Sequence, residues 1–172
     1  MISRIAITGP ESTGKSWLAE NLAKTYLCKW VPEFARSYIE SLNRPYNYND
    51  ILDIAKGQIA SEDGLLRTAD KYLFADTDCL VTKIWCDVKY GKCHDWIIQQ
   101  LKQRPHDLYL LCDVDLPWEP DPLREHPHLR KYLFGLYFDE LKLRNLPFEI
   151  ISGTGNARFQ CATEAINKRI HA

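Results

Sequence analysis

The chain has 172 residues, 45 % of them hydrophobic and 26 % charged, with a formal net charge of -1. That length suits one domain, 1–172, burying roughly 68–70 % of its unfolded surface, and the charge balance leaves no bulk footprint for nucleic acid or an acidic membrane. No run approaches the roughly 18 apolar residues needed to span a bilayer, and the first apolar stretch has no basic leader before it or small-residue cleavage site after it.

The six cysteines include no C-x-x-C pair. Cys79, Cys86 and Cys93 recur every seven residues, which places at least the first two on one helix face and reads as buried reduced thiols rather than a zinc site. The expected compartment is the cytoplasm.

Apolar runs alternate with amphipathic segments, the pattern of a parallel sheet covered by helices. Ile2 to Thr8 reads as the first strand. The helix after Lys15 carries Ala19, Leu22, Ala23, Tyr26 and Leu27 on one stripe. A short second strand, CKWVP, leads to a helix through EFARSYIESLN that stops near Pro45. A longer helix is expected from an N-cap at Asn49 to about Ala69. Gly57 and Gly64 share one face of it, where close packing, a helix in preference to a substrate, offsets their cost of about 1 kcal/mol each.

KYLFAD is the third strand. A helix from about Asp78 and another through WIIQQLKQR follow, then a fourth strand in DLYLLCDV, a fifth in FEIIS and a closing helix. Between the fourth strand and the helix before the fifth lies DLPWEPDPLREHPHLRK, whose four prolines forbid a regular helix through most of its length. A long surface segment of this kind, about 115–131, reads as a lid.

The chemistry starts in ITGPESTGKSW. Gly9, Gly14, Lys15 and Ser16 stand at the spacing G-x-x-x-x-G-K-S between a strand and a helix, the setting of a loop that wraps phosphate. Backbone amides from Glu11, Ser12, Thr13, Gly14, Lys15 and Ser16 would converge on a β-phosphate at the positive helix end, with Trp17 following. The Lys15 ammonium would bridge β- and γ-phosphates of ATP, and the Ser16 hydroxyl would be a Mg2+ ligand. The expected fold class is therefore an α/β P-loop NTPase of the nucleoside- and nucleotide-kinase type, with a five-stranded parallel sheet flanked by helices and a lid.

A second acidic partner for Mg2+ belongs at the end of a neighbouring strand, and Asp76 stands there. Asp78, two residues on, has two readings, N-cap of the next helix or substrate contact. Glu33 follows the second strand and can orient or deprotonate an acceptor hydroxyl, with helix capping as the competing role. Arg36, one turn later, reads as a substrate contact or a surface ion pair. In the lid, Arg124 is the candidate for charge stabilisation at the transferring phosphate, while Arg130 falls to the following helix; His126 and His128 read as exposed. The turn SGTGNAR would lie under the adenine, with Asn156 or Arg158 in contact, or would be a plain strand-to-helix turn capped by Thr154. Trp30, Trp85, Tyr90 and Trp118 cluster near the acceptor side, where a flat or cationic ring would stack; core packing accounts for Trp85.

Taken in order, GPESTGKS, EFAR, DTD, KYG before a histidine, and LPWEPDPLR resemble the ribosylnicotinamide kinase domain of the bacterial NAD-biosynthesis protein NadR and the stand-alone NadR-like ATPases. The resemblance spans nearly the whole chain. It implies ATP- and Mg2+-dependent phosphorylation of the 5′-hydroxyl of nicotinamide riboside. Gly14, Lys15 and Ser16 fall on the family's phosphate loop, Asp76 and Asp78 on its D-T-D element, Glu33 and Arg36 on its W-E-Y-G-R-like element, Tyr90 on its tyrosine-glycine step and Arg124 on its lid arginine. The pyridinium ring is expected between aromatic side chains. One departure matters: Pro32 stands where the family's tryptophan precedes the glutamate, and Trp30, two residues earlier, shares that face of a strand. None of the five histidines forms an H-x-G-H signature, so no adenylyltransferase activity is expected. The alternatives are a kinase for another riboside or small alcohol, and a regulatory ATP-binding protein or ATPase whose partner is a protein. The expected partners are ATP and a small-molecule riboside, with no nucleic acid and no membrane, and a homo-oligomer is compatible with the sequence.

Overall fold

The computed structural model describes residues 2–170. Five parallel strands lie in the order β2-β3-β1-β4-β5, where β1 is Ser3–Thr8, β2 Lys29–Val31, β3 Tyr72–Asp76, β4 Leu108–Cys112 and β5 Phe148–Ile151. From central β1 the chain runs first to one side of the sheet and later to the other, so the carboxyl end of β1 lies at the switch point where open α/β sheets bind ligands.

Alternation along β1 sorts the two faces. Ile5 and Ile7 join Tyr72, Phe74, Leu108 and Leu110 beneath α1 (Lys15–Thr25) and α7 (Asn156–Ile170). Ala6 points the other way, with Tyr109 and Leu111, toward α3 (Tyr48–Leu66), α4 (Cys79–Tyr90), α5 (Asp95–Gln103) and α6 (Arg130–Leu143). Each face thus buries an aliphatic layer, the pattern of a sheet covered on both sides.

Two details move from the sequence reading. The N-cap of α3 is Asn47, not Asn49: its side chain accepts from the Asn49 and Asp50 amides at 2.9 and 3.3 Å, and Asp50 accepts from the Asn47 amide at 2.7 Å. This reciprocal box satisfies amides that an Asn49 start would leave open. Of the two α3 glycines only Gly57 is packed. A Cβ there would sit 2.1 Å from Cε1 of Phe34, in α2 (Phe34–Ser41), whereas Gly64 faces open space.

Beneath the sheet, at the amino end of β1, one carboxylate organises a buried ion cluster. Glu62 Oε1 lies 2.7 Å from Arg4 Nε, 2.6 Å from Arg4 Nη2 and 3.1 Å from His106 Nε2. The His106 contact has ion-pair distance without hydrogen-bond alignment. Burial favours the neutral acid, but His106 and Arg4 outweigh it and hold the carboxyl down at about 2. Because this lies below the unfolded value, the contribution to stability is full above pH about 4.5 and is lost as pH falls toward 2. Glu62→Ala should therefore cost roughly 3–5 kcal/mol near neutral pH, with a clearly smaller loss at pH 3. Urea titrations at both pH values check this, and equal losses would contradict it.

Candidate active site

The strand β1 delivers the chain into the loop Gly9–Ser16, and sterics fix that loop's residue types. At Gly9 (φ 131°) a Cβ would stand 2.9 Å from the Cys112 carbonyl oxygen of β4. At Gly14 (φ 75°), the N-cap of α1, it would stand 3.0 Å from the Leu116 side chain. Both positions need glycine's freedom at positive φ and its lack of a side chain. Thr13 Oγ1 donates to the Pro10 carbonyl at 2.8 Å, as does Lys15 Nζ at 2.7 Å. Among the described residues the amides of Glu11 through Ser16 donate to no protein acceptor. Converging unpaired amides at a helix N-terminus form a nest for an anion.

Register brings the acid to this loop. Ile7 pairs with Asp76 across β1 and β3, and Ser16 Oγ donates to Asp76 Oδ2 at 2.5 Å. Asp76 Oδ1 is buried without a partner. Burial first, and the Glu33 carboxylate second, push the Asp76 carboxyl up to about 6, against the Ser16 hydroxyl, Lys15 and Arg36. A hydroxyl beside a carboxylate with a free oxygen is a hard-oxygen donor set of the kind that suits Mg2+.

Glu33 occupies the N-cap position of α2, yet its side chain makes no cap hydrogen bond, so capping does not account for it. Phe34 packed on Gly57 sets α2 close to α3, and Gln58 accepts from the Phe34 amide at 2.8 Å while donating to the Asp76 and Thr77 carbonyls at 3.3 and 3.4 Å. This bridge fixes Glu33 relative to Asp76.

The loop, Glu33 and Arg36 open into one cavity of about 460 Å³. Its far half is apolar, built from Ile39, Val81, Ile84, Trp85, Leu133 and Tyr137. The connection from β4 to α6 covers it, without a helix of its own, as its prolines require. Ser12 Oγ accepts from the Glu119 amide at 2.9 Å, and the Glu11 carboxylate accepts from the Glu125 and His126 amides at 3.0–3.1 Å. Arg36 pairs with Asp121 at 3.0 Å. Arg124 lines the cavity, donating to the Glu119 carbonyl and, at 3.4 Å, to Ser12 Oγ. Arg130 opens α6 and donates to the Ser12 and Leu116 carbonyls at 3.0 and 2.9 Å.

Gly9, Glu11, Ser12, Thr13, Gly14, Lys15, Ser16 and Trp17 therefore share one cavity with Glu33, Arg36 and Arg124, and Asp76 reaches it through Ser16. Several expected contacts lie elsewhere. Trp30 packs against the α1–α7 cluster, because on this short edge strand it is Val31 that faces α3. Asp78 is buried at the start of α4, where burial raises its carboxyl and His106, the Leu80 amide and Thr8 oppose the rise. Its side chain makes no cap bond either.

Tyr90 packs edge-on to Tyr48 at 5.3 Å, Trp118 lies under the Arg130 guanidinium at 5.7 Å, and Asn156 is exposed; none of the three lines the cavity. Arg158 borders it but is 1 % exposed. Its guanidinium donates to the Ile151 and Asp113 carbonyls and to Asp115 at 2.6–2.9 Å, which makes it a strut between the ends of β4 and β5 rather than a free reader of adenine. Conversely, Trp85 is a wall of the cavity rather than core alone, and His126 is a half-buried lining residue. Residues that spacing did not single out are Tyr137, Leu116 and, behind the wall, Tyr46; each arrives through a long-range contact with no local signature.

Among the described residues no helix is long and apolar enough to cross a membrane. Over 153 residues the chain is 30 % identical to the trifunctional NAD biosynthesis/regulator protein NadR of Salmonella typhimurium, covering 86 % of this chain and 37 % of that protein. A solved NadR structure in complex with NR superposes with a TM-score of 0.81 at 19 % identity, over 99 % of this chain and 52 % of that one. Deoxyadenosine kinase from M. mycoides follows the same fold, with a TM-score of 0.69 at 13 % identity, over 96 % and 99 % of the two chains. The chain thus spans little more than a third of the length of the curated relative it matches, and its resemblance to NadR stands in both sequence and fold. The family model described as AAA domain matches residues 4–158, and the chain belongs to that family.

Proposed function

We propose that the chain transfers the γ-phosphoryl group of ATP to the 5′-hydroxyl of a nucleoside, with nicotinamide riboside as the foremost acceptor. The observation that carries this reading is one cavity with an amide nest at one end, an apolar aromatic wall at the other, and the uncapped Glu33 carboxylate on its lining. The similarity to NadR, a protein of NAD biosynthesis by its name, and to a NadR structure holding NR supports the choice of acceptor.

The nest holds the phosphate tail, and Lys15 exchanges the Pro10 carbonyl for phosphate oxygens. Glu33 orients the acceptor hydroxyl. The acceptor oxygen bonds to the γ-phosphorus as the bond to the β–γ bridging oxygen breaks, ADP leaves, and the hydroxyl proton passes to Glu33. Ser16 and Asp76 would hold Mg2+, which when bound neutralises charge on the phosphate oxygens. Arg124 supplies positive charge from the lid. Arg36 is already paired with Asp121 and Arg158 with Asp115, so the acceptor half offers no spare guanidinium for a phosphorylated acceptor, which favours a nucleoside over a nucleotide. The aliphatic wall with Trp85 suits a flat ring without reading a base edge, and the Glu33 carboxylate, unpaired among the described residues, together with the Trp85 face, favours a cationic one. Adenylyl transfer is not assigned to this chain, which lacks an H-x-G-H signature.

Purified protein with Mg-ATP and a panel of ribosides should phosphorylate nicotinamide riboside far faster than it hydrolyses ATP; hydrolysis without acceptor phosphorylation would refute the reading. Lys15→Ala should lower kcat by at least roughly 10²–10³-fold with an unchanged circular dichroism spectrum, and retained turnover removes the assigned role. Glu33→Gln should lower kcat by roughly 10²–10⁴-fold with ATP affinity within about twofold, measured by calorimetry; an unaltered kcat takes Glu33 off the reaction path. Since protonated Asp76 is a poor cation ligand, half-saturating Mg2+ should rise below pH about 6. A flat profile from pH 7 to 5 would separate Asp76 from the metal.

A further inference from the structure

A junction of four side chains joins the covering segment to the acceptor wall. Tyr46, in the link between α2 and α3, donates its hydroxyl to Glu125 Oε2 at 2.6 Å and accepts from Trp85 Nε1 at 3.0 Å. Lys89 of α4 donates to the same hydroxyl and, at 2.9 Å, to Glu125 Oε1, with its ammonium 3.9 Å from the centre of the Tyr46 ring. The Tyr46 and Trp85 rings meet edge-on at 5.0 Å. Trp85 and Glu125 line the cavity; Tyr46 does not.

Glu125 is held a second time. Its backbone amide lies 3.1 Å from both oxygens of Glu11, in the phosphate loop. One residue of the cover is thus pinned through its main chain to the nucleotide end and through its side chain to the acceptor end. Three of the junction's four bonds are charge-assisted, the stronger kind. Burial, and then Glu125, push the Tyr46 phenol up to about 12, so it remains a donor across the physiological range.

We propose that Tyr46 is a positioning residue that seats Glu125 and Trp85 together and so sets the acceptor affinity and the exclusion of water from the proposed kinase site. The proposal rests on that kinase reading for its catalytic consequences but not for the latch itself. Without the Tyr46 hydroxyl, the Trp85 indole N–H loses its acceptor and Glu125 loses its tie to Trp85, so that on the acceptor side the cover keeps only the Lys89–Glu125 and Arg36–Asp121 ion pairs beside its phosphate-loop pins.

Tyr46→Phe keeps the ring and its packing. Trypsin cleavage of the ligand-free protein after Arg124, Arg130 and Lys131, followed by mass spectrometry, should accelerate several-fold in this variant while the melting midpoint stays within a few degrees. In the kinase assay the acceptor KM should rise roughly tenfold, ATP KM should stay within about twofold, and hydrolysis of ATP without acceptor should increase. Glu125→Gln, on a side chain too exposed to decide folding, should shift acceptor KM the same way. Unchanged lid cleavage in Tyr46→Phe overturns the latch, whether or not the wild type proves to be a kinase. Faster cleavage with both KM values unchanged, or both rising with a falling melting midpoint, overturns the positioning role. If the wild type phosphorylates no riboside, the kinase reading falls and the cleavage rates alone decide the latch.

Discussion

Everything in this molecule turns on the contact between Ser16 and Asp76. It exists because two parallel strands end side by side, one running into a glycine-bounded loop and the other into an acid. The pairing of Ile7 with Asp76 sets the depth at which the carboxylate meets the loop, and Gln58 ties the same strand end to the start of α2. A shift of one residue in that register would turn Asp76 to the other sheet face. The nest of amides, the acid and Glu33 are therefore one construction with shared supports.

The charges around the cavity are arranged in advance. Arg36, Arg124, Arg130 and Arg158 all have partners that fix their direction, and the cover is held at Glu125 and His126 by two carboxylates, Glu11 in the phosphate loop and Glu125 itself against Tyr46 and Lys89. Groups already oriented need little reorganisation when charge develops, the condition under which fixed dipoles act most strongly.

Much of this was legible in the order of residues. The strand, glycine loop and helix at the start follow from spacing alone, and the parallel sheet follows from apolar runs alternating with amphipathic ones. Asp76 was legible because an ionisable acid closing a buried strand costs stability unless a cation or a hydrogen-bond donor meets it. What spacing could not supply was facing and distance. Trp30 and Pro32 do share a face, but on a strand of three residues nothing local says which face meets the cavity, and Trp30 meets the α1–α7 core instead. Arg158 looked free because its partners lie on two other strand ends. Tyr46 and Glu125 are 79 positions apart, and no periodicity connects them. The apolar half of the cavity is assembled almost entirely from such distant contacts, which is why its residues needed the fold to be seen.

The most direct measurement is a crystal structure of the protein with Mg2+ and a non-hydrolysable ATP analogue. The β-phosphate should lie within hydrogen-bond distance of the amides of residues 11–16, with the cation between Ser16 Oγ and the Asp76 carboxylate. A triphosphate bound elsewhere, or bound there with Asp76 still closed on Ser16 and no cation between them, would contradict it.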